Sequence, residues 1–235
     1  RKEKDSLGEK DIEDVYYGIH TARALENFNI KNKRVNEELI KAIALIKIAA
    51  AEANKKADKL DEKIANAIKE AANDLITGNY ADAFVLPSIQ GGAGTSTNMC
   101  INEVIANIAL EKMGQSKGDY HIINPLDHVN HSQSTNDVYP TAVKIASIKL
   151  LRELLDETMA LQQELQNKEK EFSNVLKTGR TQFQDAVPLT LGQEFGAYAE
   201  AISRDRWRIY KIEERIRRIN IGGTAVGTGV GASGK

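Results

Sequence analysis

Apolar residues recur at helical spacing along most of the chain, and short polar stretches interrupt them. Leu39, Ile43, Ile46, Ala50 and Ala53 alternate steps of four and three, which predicts a helix from about Asn36 into the fifties. Ile64, Ile68, Ala71 and Leu75 mark a second helix, with Gly78 as its stop. A third begins near Asn98, buries Ile101, Val104, Ile105 and Ile108, and stops at Gly114. Residues before position 30 lack a sustained period and are expected to form an irregular arm. Between Gln115 and Asn136 the pattern breaks around Gly118 and Pro125, so a domain boundary is placed there, dividing residues 1–130 from 131–235.

A long helix is expected after Pro140. Ile148, Leu151 and Leu155 form one stripe, and Leu150, Leu154, Leu161 and Leu165 form another. So wide an apolar face predicts burial on more than one side. The last helix carries Leu191, Phe195, Tyr198, Ile202, Ile209, Ile212 and Ile216, with Asp205 interrupting the seam. A period near 3.5 residues predicts near-parallel helix packing of the bundle kind. The two long helices either pair with each other or belong to a larger bundle.

Composition narrows the class. Of 235 residues, 41% are hydrophobic, only 6% are aromatic and four are proline, which favours helices over sheets and argues against disorder. A formal net charge of -1 gives no global field toward nucleic acid or an anionic membrane. Cys100 is the single cysteine, so no internal disulfide is possible. No apolar run approaches the roughly 20 residues of a membrane helix, and Arg1–Lys10 lacks the apolar stretch of a signal peptide. The expectation is a cytoplasmic protein.

The chemistry concentrates in three polar segments, each read as lying beside a helix start. They are Gln90-Gly-Gly-Ala-Gly-Thr95-Ser96-Thr97-Asn98, Ser132-Gln133-Ser134-Thr135-Asn136-Asp137 ahead of Pro140, and Gly179-Arg180-Thr181-Gln182-Phe183-Gln184-Asp185 ahead of Pro188. A helix N-terminus offers free N–H groups and partial positive charge, and hydroxyls and amides add neutral donors. Together such groups suit a small molecule with several carboxylate oxygens; singly, each segment reads as a helix cap.

These strings resemble, segment by segment, the aspartase/fumarase superfamily. Supporting matches are Tyr17-Gly-Ile-His-Thr-Ala-Arg23 with Glu26-Asn27-Phe28, Asn102-Glu103-Val104-Ile105-Ala106-Asn107, and Leu191-Gly-Gln-Glu-Phe195, so that the resemblance runs from about Tyr16 to Gly229. Gly-Gly-Ala-Gly-Thr-Ser-Thr-Asn resembles the aspartase branch, and Gln182 stands where fumarases carry a histidine. The resemblance implies a mainly α, L-aspartase-like fold: a small helical N-terminal domain followed by the first part of a central long-helix bundle. It implies the amino-terminal half of an enzyme that reversibly deaminates L-aspartate to fumarate and ammonia through an aci-carboxylate intermediate, without a cofactor. Thr95, Ser134 and Thr135 would bind the carboxylate that takes up charge, Asn136 would face the amine, and Thr181 and Gln182 would hold the other end.

The resemblance places the base on a serine loop of pattern Gly-Ser-Ser-x-Met-Pro-x-Lys, which does not occur in residues 1–235. The chain alone is therefore expected to be inactive, and the full-length protein a homotetramer whose sites draw on several subunits. The alternatives are a fumarase of the same superfamily and a non-catalytic helical oligomerisation module.

Other signals carry less. Gly229-Val-Gly-Ala-Ser-Gly234-Lys235 fits most of a P-loop but follows a charged helix instead of a buried strand. His128 and His131 lack partners at metal-ligand spacing apart from Asp127, so structural hydrogen bonding is expected. Asn124-Pro-Leu-Asp-His-Val-Asn130 departs at two positions from the family's second anion-site string. The basic run Arg204–Arg218 is interspersed with acids and reads as a solvated, ion-paired face.

Overall fold

The computed structural model describes residues 1–30 and 33–232. It divides into two compact units, one formed by Arg1–Ala146 with Ile219–Lys235, the other by Ser147–Arg218.

The first unit opens with an antiparallel hairpin, β1 (Lys2–Asp5) and β2 (Gly8–Asp11), and a helix, α1 (Ile19–Asn27). The expected irregular arm is thus corrected: the segment is ordered by contacts with residues distant in sequence, described below. The predicted helices follow as α2 (Glu37–Lys56), α3 (Glu62–Ile76) and α4 (Thr95–Lys112). Asn36 caps α2 by accepting from the Glu38 N–H, and Asp61 caps α3 by accepting from Lys63 and Ile64. A 3₁₀ turn covers Ala81–Ala83 and a π-helical turn Pro125–Val129, after which α5 (Thr135–Glu171) begins.

α4 is the hub. The sequence predicts four buried positions, and in the fold every residue from Thr97 to Leu110 is buried, because α1, α2 and α3 all pack against it. Ile101, Val104, Ile105 and Ile108 meet Ile43, Ile68 and Ala71 in one core. Cys100 belongs to that core, and burial pushes its thiol up to about 12.

Encirclement also buries polar residues of α4. The Glu103 carboxylate accepts from the backbone N–H groups of Gly18 (2.9 Å), His20 (2.8 Å) and Thr21 (3.1 Å), and from the Thr21 hydroxyl (2.6 Å). Glu3 of β1 accepts from the Ile19 N–H at 2.7 Å. Two carboxylates therefore supply the N-terminal cap that Gly18 cannot. Asn107 donates to the Tyr16 carbonyl and the Tyr120 hydroxyl and accepts from the Gly118 N–H, closing the same region.

α5 begins at Thr135, so Pro140 lies inside it, correcting the expected start. The proline has no N–H for the Asn136 carbonyl and removes one helical hydrogen bond. The returning segment after Arg218 packs on this start. The Asn220 N–H donates to the Thr141 hydroxyl (3.0 Å) and the Thr224 N–H to the Asp137 carboxylate (2.8 Å). Of the P-loop-like tail, Ser233, Gly234 and Lys235 lie outside the described residues. His128 accepts from the Asn124 N–H, and the His131 ring meets the Asp127 carbonyl. Both imidazoles thus brace the π-helical turn.

The second unit holds the rest of α5, a hairpin of β3 (Leu176–Thr181) and β4 (Gln184–Thr190), and α6 (Leu191–Ile216). Arg152 pairs with Glu213, Gln162 accepts from Arg206, and the Phe172 ring packs at a tilt against Phe195. As α5 ascends in number α6 descends, so the two long helices pair antiparallel. At their close end a Cβ on Gly192 would lie 2.5 Å from the Glu169 carbonyl oxygen, so only glycine fits. Thr190 and Gln193 form a reciprocal capping box at the start of α6. The basic run is ion-paired as expected, Arg208 with Asp205 and Arg217 with Glu213. The apolar stripes of both helices are only partly covered: Leu154, Leu161, Tyr198 and Ile212 are exposed.

Candidate functional site

Two of the three polar segments meet in the first unit. α4 starts at Thr95 and α5 at Thr135, and the Asn98 amide, one turn into α4, donates to the Thr135 hydroxyl at 3.1 Å. The starts also touch at Gly94, the N-cap of α4, with φ +85°. A Cβ there would sit 2.2 Å from the Tyr139 ring. Gly94 therefore allows both the left-handed turn and the approach of α5. Gly94→Ala should lower stability by about 2 kcal/mol or more through strain and overpacking. A urea midpoint unchanged from the parent would refute that reading. Gln90 completes the turn by accepting from the Thr97 N–H (3.0 Å) and hydroxyl (3.1 Å).

The hydrogen bonds decide what each group at the α5 start can still do. Ser134 caps the helix: its hydroxyl accepts from the Asn136 N–H at 3.2 Å, and Asp137 accepts from the Ser134 N–H at 3.1 Å. Thr135 accepts from Asn98. Each hydroxyl has one proton, and among the described residues no hydrogen bond uses either, so both stand ready to donate. Asn136 is exposed and spends one of its two amide hydrogens on the Ala225 carbonyl at 2.9 Å, an orientation that leaves its side-chain oxygen as an acceptor. Thr95 is exposed on the first turn of α4, where the Thr97 N–H is already taken by Gln90. The arrangement offers donors toward an anion beside one acceptor toward a cation or amine.

Thr181 and Gln182 belong to the second unit. They do not adjoin a helix start, because the seven residues of β4 separate them from α6. Thr181 pairs with Gln184, and Gln182 and Phe183 form the two-residue turn with φ of 51° and 61°. A two-residue hairpin turn of this hand needs both centres left-handed, which normally selects Asn-Gly. All three side chains are exposed.

The residues that sequence reasoning missed lie behind the α5 start. Lys47 of α2 is fully buried and donates at 2.9 Å to both Asn130 and Gln133. The Asn130 oxygen also accepts from Asn98 at 3.1 Å. Their signal was positional: Ile40, Ile43, Lys47, Ala51 and Asn54 share the buried stripe of α2, so a charge interrupts an apolar face. The side-chain oxygen of Asn98 is buried and has no partner among the described residues.

With the geometry in view, similarity to known proteins is informative. An aspartate ammonia-lyase from Bacillus sp is 52% identical over 233 residues, covering 99% of this chain and 50% of its own length. A fumarate lyase:delta crystallin structure from Brucella melitensis, bound to cobalt, superposes with a TM-score of 0.95 at 49% identity, over 100% of this chain and 52% of that one. A recombinant class II fumarase from Schistosoma mansoni gives a TM-score of 0.95 at 36% identity, covering 100% of this chain and 50% of that one. The chain spans about half the length of the curated relatives it matches. The helical, L-aspartase-like architecture expected from the sequence is the architecture found. The family model described as lyase matches residues 9–235, which includes both helix starts and the hairpin, and the chain belongs to that family.

Proposed function

We propose that the chain supplies the dicarboxylate-holding segments of an ammonia-lyase that releases fumarate and ammonia from L-aspartate. One observation carries the reading: Ser134 and Thr135 present hydroxyl protons, and Asn136 beside them presents an oxygen. Removing a proton from the carbon next to a carboxylate sends negative charge onto that carboxylate. Donors fixed before the reaction stabilise that charge without reorganising. Ser134, Thr135 and Thr95 fill this role, and the Asn136 oxygen receives an N–H of the substrate's amino group. An alcohol offers that oxygen less than an ammonium does, which favours aspartate over malate.

The proton-abstracting serine is proposed to come from a Gly-Ser-Ser-x-Met-Pro-x-Lys segment outside residues 1–235. Thr181 and Gln182 serve in a site assembled from several subunits of a homotetramer, so they need not meet Thr95 or Thr135 of their own chain. The exposed apolar side chains of α5 and α6 support assembly of that kind. A cytoplasmic location fits the same reading.

The test is turnover by the whole protein, followed through the ultraviolet absorbance of fumarate. Aspartate should yield fumarate with one equivalent of ammonia, and malate should not react. Turnover of malate alone would replace this proposal with the fumarase reading.

A further inference from the structure

We propose that Lys47 is a positioning residue of the dicarboxylate site: through Asn130 it fixes the Asn98 amide, which reserves the Thr135 hydroxyl proton for the substrate. The inference rests on the dicarboxylate reading above and adds a residue to it.

The chain of contacts is short and directional. Lys47 donates to side-chain oxygens on both sides, Asn130 and Gln133, and as an ammonium it can only donate, so the oxygen of Asn130 faces Lys47. That orientation points the Asn130 amide nitrogen at the Gln133 carbonyl, 3.2 Å away. The same oxygen accepts from Asn98, which forces the Asn98 nitrogen, and not its oxygen, toward Asn130 and Thr135. Thr135 thereby meets a donor and must use its own proton elsewhere. Without Lys47 both amides could turn over. Thr135 would then donate to an Asn98 oxygen and offer a ligand nothing.

Such an arrangement is costly to keep for packing alone. Lys47 is among the largest fully buried side chains of the unit, and an apolar residue of similar length would fill its space without desolvating a charge. Burial drives the Lys47 amine down to about 7, and Asp137 of α5 is the charged group that opposes this. Gln133 adds a second acceptor, itself held by its amide nitrogen at the Val129 and His131 carbonyls. The whole assembly is therefore fixed in one hydrogen-bonding sense.

The experiment is a double-mutant cycle in the whole protein, with Lys47→Met, Thr135→Val and the pair. Turnover constants, succinate binding by calorimetry and folded content by circular dichroism are measured for each. Lys47→Met should lower kcat/KM by tenfold or more while the protein stays folded. In the Thr135→Val background the same change should have less than a threefold effect, because the hydroxyl it positions is gone. Asn130→Ala, which cuts the link and leaves Lys47 its bond to Gln133, should behave alike and serves if Lys47→Met does not fold. Full additivity, or turnover within twofold of the parent, would overturn the assignment while leaving the dicarboxylate reading intact. A parent protein that neither turns over aspartate nor binds succinate removes both.

Discussion

Replacing Glu103 by alanine should destabilise the first unit by about 3–5 kcal/mol, the range for removing one partner from a buried charged cluster. The carboxylate accepts four hydrogen bonds, three from the backbone N–H groups of Gly18, His20 and Thr21 at the start of α1 and one from the Thr21 hydroxyl, all within 3.1 Å. Burial raises the Glu103 carboxyl above the ordinary glutamate value, with Thr21, Gly18 and His20 opposing that rise. Alanine would leave those donors buried and unmet, at roughly 1–3 kcal/mol each before relaxation. Glu103→Gln keeps the shape but offers one acceptor oxygen where there were two, and should fall between. The measurement is the urea midpoint of the whole chain at constant slope. A loss under about 1 kcal/mol for the alanine variant would show that water or backbone shifts replace the carboxylate. Gly18 reports on the same packing, since a Cβ there would lie 2.7 Å from Glu3 and from the Tyr120 hydroxyl.

Thr135→Val should lower kcat of the whole protein by about 10²–10³-fold, the usual effect of losing one fixed donor to developing oxyanion charge. Valine preserves the branched shape, so helix α5 keeps its start and only the hydroxyl is lost. Asn98 keeps its bond to Asn130, which limits structural collateral. Thr135→Ser retains a hydroxyl and should stay within about tenfold of the parent. A valine variant that raises KM and leaves kcat unchanged would mean that Thr135 binds substrate and product state alike. That result would move the charge-stabilising role to Ser134 or Thr95.

The helices were legible because packing of α2, α3 and α6 follows periods that sequence displays directly. Asn36, Gly78 and Gly114 stand near the predicted ends. What escaped depends on distant partners or lacks a pattern. The start of α1 is held by Glu103, more than 80 positions away, and no local period announces it. The hairpin of β3 and β4 has mostly exposed side chains on both faces, so the apolar alternation that marks a half-buried strand is missing. Ser134, Thr135 and Asn136 are singled out as candidates by their strings, yet the sense of their hydrogen bonds is set by Asn98 and Ala225, which no string reveals. Lys47 was hidden in plain view, as a charged letter within a buried stripe.

The turn at Gln182 and Phe183 bears on how this protein could be engineered. Left-handed backbone costs an ordinary residue about 1–2 kcal/mol, and two stand there in succession. Stability-guided redesign would rewrite the pair as Asn-Gly, and the hairpin would gain rigidity by it. It would also erase the two side chains carried at the tip, Gln182 among them. Thermostabilising libraries built on this scaffold should therefore hold positions 182 and 183 fixed and seek their gains elsewhere.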